Sequence, residues 1–172
     1  MGVVRTVFLL GLIMATLARA RCVEEFETLA ARLDASGCTF MRCYDNAINI
    51  VSQLKAQPGV DVDRIRVLHV SHFGPYKQHA LVEYDGFIID VNFASKPGEN
   101  NTLVYKPVRE FLRTAPIDTG RSRILQIPAD VYARDHSAST VERYFDLLHR
   151  SVSLPPPPFV LYNPGDYFRA HQ

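Results

Sequence analysis

No apolar run in the chain reaches the ~20 residues that a membrane-spanning helix needs; the longest, residues 6–17, stops short. Charge of either sign is not in excess: 19 Lys and Arg stand against 18 Asp and Glu, scattered along the chain. That scatter speaks against a nucleic-acid partner. Internal repeats are absent, and the composition, 47% apolar and 22% charged over 172 residues, is that of a globular protein with one domain. No Cys or His pair has zinc-finger spacing, and Ser71-His72 lacks a nucleophile-elbow sequence. His69, His72, His79 and Asp90 could be read as metal ligands, but residues three apart on a strand face opposite sides, which keeps His69 and His72 from converging. Neither metal nor cofactor is expected.

The first twenty residues differ from the rest. Arg5 opens a positive segment, residues 6–17 are almost unbroken apolar sequence, and Ala18-Arg19-Ala20 supplies small residues for cleavage. This is the pattern of a secretory signal peptide, removed near Ala20 to release a secreted or periplasmic chain. Without it, 17 basic residues face 18 acidic ones. The remaining ~150 residues can bury a core without a disulfide framework. The three cysteines, Cys22, Cys38 and Cys43, are an odd number, so at least one thiol stays unpaired or bonds between molecules. A Cys22–Cys38 bridge requires the intervening helix to be short, because twelve helical residues would hold its ends about 18 Å apart, against the ~4.4–6.8 Å that a disulfide allows.

Val23, Phe26, Leu29, Ala30 and Leu33 recur at helical spacing, predicting a helix over 23–34 stopped by Gly37. A second helix is expected over 42–57. Cys43, Ala47, Ile50, Val51 and Leu54 lie along its buried stripe, Asp45, Asn46, Asn49 and Lys55 turn away, and Pro58-Gly59 ends it. Continuing that helix backward puts Cys38 on the solvent side. Short β-rich runs follow at 65–71, 79–84 and 87–92, the last two joined by Asp85-Gly86, a two-residue hairpin signal. Residues 92–101 read as a polar loop, Pro107 opens a brief helix with Val108, Phe111 and Leu112, and 123–127 reads as a strand. Ser139 and Glu142 form a capping box for a helix to about 150. Residues 155–158 are four prolines, an extended stretch, and the aromatics Phe159, Tyr162, Tyr167 and Phe168 beyond it are expected to pack back on the domain.

The hairpin permits a geometric argument. With Asp85-Gly86 as the turn, Tyr84 pairs with Phe87, and continuing the register sets Leu81 opposite Asp90 and His79 opposite Asn92. His79 and Asp90 are then diagonal neighbours on one face, with Cα atoms about 7–8 Å apart and side chains within reach. A carboxylate that orients an imidazole fixes its tautomer and leaves the other ring nitrogen to carry a proton. Cys43, in the first turn of its helix, meets the positive end of the helix dipole and unpaired backbone N–H groups, which favour thiolate. A thiolate, an imidazole and an orienting carboxylate are the parts needed for covalent acyl transfer, and the Cys43 backbone N–H can help to hold the oxyanion.

The run Cys43-Tyr44-Asp45-Asn46-Ala47 at a helix start, followed by His79-Ala80-Leu81-Val82-Glu83 and Gly86-Phe87-Ile88-Ile89-Asp90, resembles the transglutaminase-like branch of the papain-like cysteine enzymes. The order Cys, His, Asp is the same, and the strand usually read His-Ala-Trp-Val-Glu carries Leu81 in place of the tryptophan. No glutamine stands shortly before Cys43. The resemblance covers residues 37–93. It implies an α+β fold with a papain-like, transglutaminase-like core, a central helix packed on an antiparallel sheet. It also implies Cys43 as nucleophile, His79 as general base and acid, Asp90 as the residue that orients His79, and a protein or peptide amide as substrate. Peptidases, protein-glutamine deamidases and crosslinking enzymes share this pattern, as would a binding module that keeps the fold without the chemistry.

Overall fold

The computed structural model describes residues 23–39, 42–94, 99–118, 120–134 and 160–170. The segments read as signal peptide, as the capping-box helix and as the polyproline stretch lie outside the described residues. The chain divides into two units, residues 1–33 and 34–172. In the first, helix α1 spans residues 23–30, shorter than the expected 23–34. Arg32 N–H and Leu33 N–H reach back only three residues, to Leu29 O and Ala30 O. Such bonds tighten and end a helix.

The second unit is an α+β assembly around one antiparallel sheet. Its elements are α2 (Cys43–Ala56), a single 3-10 turn (Val62–Arg64), β1 (Arg66–Phe73), β2 (Tyr76–Tyr84), β3 (Phe87–Asn92), β4 (Thr102–Pro107), α3 (Val108–Thr114), β5 (Ile124–Pro128), α4 (Ala129–Arg134), β6 (Val160–Tyr162) and α5 (Pro164–Ala170). The six strands lie in the order β4-β3-β2-β1-β5-β6. Strand β4 occupies residues between the expected loop of 92–101 and the expected helix at Pro107, for which the sequence pattern predicts no element: Thr102-Leu103-Val104-Tyr105 pairs with β3 along its whole length, and Pro107 sits at its very end. An edge strand tolerates proline there because no ladder donor is lost.

Alternation assigns the two faces. Leu68, Val70, Leu81, Ile88 and Ile124 look to one side and bury Val108 and Phe111 of α3 and Tyr167 of α5. His69 and Ser71 look to the other, where the Tyr44 ring of α2 stacks on His69 and Tyr132 of α4 closes the far side. The stripe on α2 that faces inward is Ala47, Ile50, Val51 and Leu54, as the spacing predicts, joined by Asn46.

The Asp85-Gly86 turn has the expected form. Both residues take positive φ, +52° and +81°, the pair that a type I′ turn needs and that aspartate and glycine accept most easily. The hairpin pairs Tyr84 with Phe87, Glu83 with Ile88 and Val82 with Ile89. Beyond those, the register read from the sequence stops being a ladder: among the described residues β2 and β3 form no further pair. Strand β2 stays on β1, where Val70 faces His79, and β3 stays on β4, where Asp90 faces Val104. The sheet therefore opens between β2 and β3, at the end where His79 and Asp90 stand.

Tyr167, expected in a tail packed on the domain, is fully buried, and its hydroxyl donates to Glu83 Oε2 at 2.6 Å. Gln126 Nε2 donates to the same oxygen at 2.9 Å. A hydrogen bond to a charged acceptor contributes about 1.5–3 kcal/mol, so Tyr167→Phe is expected to lower the unfolding free energy by that amount, read as a lower urea midpoint at an unchanged m-value. An unchanged midpoint would show that α5 is held by apolar contact alone.

Candidate active site

Cys43 is the first residue of α2 and a free, half-buried thiol. Its position is set by the loop before it. Asn46, expected to face solvent, is only 5% exposed: its Oδ1 accepts from Thr39 N–H and its Nδ2 donates to Thr39 O, both at 2.9 Å. Gln53 likewise holds both the N–H and the carbonyl of Asp34, at 2.6 and 2.7 Å. The polar residues of α2 thus strap the incoming loop to the helix. Cys38, placed on the solvent side by the sequence, is 5% exposed instead. The chain turns before α2 begins, so the helical spacing does not extend back to it. Asn49 Nδ2 points at its sulfur, 3.7 Å away, and burial pushes its thiol pKa up. Cys38 is a free thiol, and Cys22 lies outside the described residues.

His79 Nε2 meets Asp90 Oδ2 at 2.8 Å, and the imidazole interacts electrostatically with Cys43, which lines the same pocket. With Nε2 committed to Asp90, Nδ1 is the nitrogen left for the sulfur. The other carboxylate oxygen, Asp90 Oδ1, accepts the N–H of Val91 at 2.7 Å. That bond explains the open sheet. In a hairpin with a two-residue turn, Tyr84↔Phe87 and Val82↔Ile89 are the pairs that exchange both hydrogen bonds, and Val91 would next give its N–H to Ala80. Asp90 takes that donor for itself, β3 peels away, and a gap appears through which the thiol of α2 can reach the imidazole.

A pocket of about 500 Å³ lies over this gap and includes Cys43, His79 and Asp90 in its wall. The β1–β2 turn, Gly74-Pro75, supplies another part with Phe73, Pro75 and Tyr76. Alternation would turn Phe73 toward the face of His69 and Ser71. A left-handed φ of +52° at His72 reorients the chain, and the Phe73 ring stacks instead on His79, 4.7 Å between centroids at 30°, and on Phe111 at 6.2 Å. Gly74 N–H bonds Pro116 O at 2.6 Å, which pins the turn in place. The sequence reading began β2 at residue 79 and so missed this wall; the signal for it was the Gly-Pro turn dipeptide between two aromatics.

The two histidines near the thiol behave oppositely. Burial works against a charge on His79, but the hydrogen bond to Asp90, the interaction with Cys43 and the negative charge of both outweigh it, raising its pKa from 6.5 to about 9. His69 is 2% exposed in the stack between Tyr44 and Tyr132, each 5.2 Å away. Burial, with the nearby charge of His79, lowers its pKa to about 3 and keeps it neutral. Tyr132 is likewise held neutral, first by burial and then by the charges of Cys43 and Asp45. Three or more potential ligands arranged to hold a metal ion do not occur among the described residues, and no helix there is long and apolar enough to cross a membrane.

No protein-family model matches the chain, and no curated protein matches it.

The raised His79 pKa stabilises the fold. Its contribution is fully present below the unfolded-state value of about 6.5 and is lost as pH rises through about 9. Asp90→Asn removes the charge that favours imidazolium, so the His79 pKa should fall toward its ordinary value, read from the pH titration of its ring-carbon NMR signals. A variant whose His79 still titrates near 9 would show that Asp90 does not hold the proton.

Proposed function

We propose that the protein is an exported thiol-dependent hydrolase or acyltransferase that acts on amide bonds of proteins or peptides through Cys43, His79 and Asp90. The observation that carries this reading is the grouping of a free thiol, an imidazole and the carboxylate bonded to that imidazole in the wall of one pocket. The order of the three residues, a helix that begins at the nucleophile, and an antiparallel sheet that supplies the other two side chains support a papain-like core of the transglutaminase-like kind.

The chemistry follows from the protonation states. The Cys43 thiolate attacks the amide carbonyl carbon; a carbon–sulfur bond forms and the carbonyl π pair moves to oxygen. As the tetrahedral species collapses, His79 gives its Nδ1 proton to the departing nitrogen, which leaves as ammonia or an amine, and a thioester remains. His79, now neutral, takes a proton from water. The hydroxide equivalent adds to the thioester, and Cys43 departs with the release of a carboxylic acid. Asp90 holds the ring in the tautomer that places the mobile proton on the Cys43 side. The small single sheet favours hydrolysis, as peptidase or glutamine deamidase, over crosslinking, which requires room for a second protein substrate.

Iodoacetamide should therefore alkylate Cys43 much faster than Cys38, as measured by peptide mass spectrometry. Cys43→Ala and His79→Ala should abolish turnover, and Asp90→Asn should reduce it by on the order of 10²–10⁴-fold. Because the imidazolium must protonate the leaving nitrogen, kcat/KM should fall as pH rises through about 9. Ammonia release, new chain termini or amine incorporation would distinguish deamidation, proteolysis and transfer. Turnover that survives Cys43→Ala would overturn the catalytic assignment, and a Cys43 with no alkylation preference together with none of these three products would leave a binding module with an enzyme's fold.

A further inference from the structure

Attack on an amide carbonyl builds negative charge on its oxygen, and the barrier depends on hydrogen-bond donors already aimed at that charge. At the start of α2 the Cys43 backbone N–H is one such donor. A second is required, and no glutamine precedes Cys43 to supply it. The pocket wall contains few candidates. Phe73, Pro75, Val91 and Phe93 have no side-chain donor, His79 and Asp90 are engaged with each other, and the half-buried Tyr44 stacks on His69 with its hydroxyl oxygen enclosed and out of reach of a bound substrate. Tyr76 is 40% exposed, on the solvent side of the pocket. Gln78 remains. It lines the pocket, is half-buried, and its carboxamide makes no hydrogen bond with any described residue.

Its place on the strand fits the requirement. Gln78 pairs with Ser71 and so faces the side of the sheet where His69 receives Tyr44 of α2. His79, the next residue, faces the opposite side and lines the pocket with Cys43 at the gap between β2 and β3. Two consecutive residues of β2 thus present an imidazole and a carboxamide, from opposite faces of the strand, to the pocket that Cys43 lines. In the tetrahedral adduct the leaving nitrogen must point to the imidazole that protonates it, and the oxyanion then points away from that ring, toward Gln78.

We propose that the Gln78 carboxamide N–H donates the second hydrogen bond to the oxyanion formed on attack by Cys43. The assignment rests on Cys43 as nucleophile, so the experiment separates the two ideas. Butyraldehyde is small enough for the pocket and mimics the adduct: the sulfur bonds the aldehyde carbon, the π pair moves to oxygen, and the oxygen takes up the proton that the thiol gives up through His79. It should protect Cys43 from iodoacetamide. Alkylation by iodoacetamide displaces iodide from a CH₂ carbon and creates no oxyanion, so it reports the thiolate alone.

In Gln78→Met, which keeps the side-chain length without a donor, the alkylation rate should stay within about two-fold of wild type. Protection by butyraldehyde should weaken by about ten-fold or more. Gln78→Ala should behave alike, and with a true substrate both should lose kcat at nearly unchanged KM. The unchanged alkylation rate also certifies that the variant is folded. Equal protection in wild type and Gln78→Met, absence of protection in wild type, or a parallel fall in alkylation rate would each overturn the assignment. A wild-type Cys43 no faster than a cysteine in the urea-unfolded chain would instead overturn the nucleophile itself.

Discussion

Asp90 makes two hydrogen bonds that pull in different directions, and the site exists because it makes both. One carboxylate oxygen accepts the backbone N–H of Val91 and removes it from the β-ladder; the other meets His79 Nε2. A carboxylate this enclosed would be costly without such partners. With them, it parts two strands that the turn would otherwise zip together, and it holds across the opening the ring that the parting brings within reach of α2. Remove the first bond and the thiol is walled off by a continuous sheet. Remove the second and the imidazole loses its orientation and its proton.

The rest of the domain supports that opening from both sides. On one face, α3 and α5 bury Val108, Phe111 and Tyr167 against β1, β2 and β5, and Phe73, turned over by the strained His72, carries this apolar layer up beneath the imidazole. On the other, the stack of Tyr44, His69 and Tyr132 fixes the first turn of α2 on the sheet. His69 fits this task because it stays neutral. A second imidazolium so close would repel the first, and the same enclosure that strips the proton from His69 spares His79, whose interactions with Asp90 and Cys43 more than compensate.

Much of this was readable in the sequence because it depends on local rules. The apolar stripe from Ala47 to Leu54 has helical period, Asp85-Gly86 has the chemistry of one turn type, and counting back from that turn gives His79 and Asp90 a common face. What escaped depends on residues acting against their local pattern. Asn46 and Cys38 are buried because the loop before α2 folds onto the helix. Phe73 changes face through one unusual torsion. Strand β4 forms because β3 offers it an edge, although its own residues sit between a polar loop and a proline. The gap is the clearest case: pairing rules predict a ladder through His79 and Asn92, and only a side chain competing for a main-chain donor ends it early.

Two strands joined at one end and free at the other form tweezers, with Asp85-Gly86 as the fulcrum. One arm is β3 with β4 on its outer side; the other is β2, backed by β1, β5 and β6. The fulcrum is gripped from outside the hairpin, by the ion pair of Arg64 with Asp85 and by the N–H of Val108, which bonds Gly86 O at 2.9 Å. The jaw at the far end is the distance between His79 and Asp90. Arg64 and Val108, at the far end of the hairpin from the pocket, thus hold the point from which the two strands diverge toward His79 and Asp90.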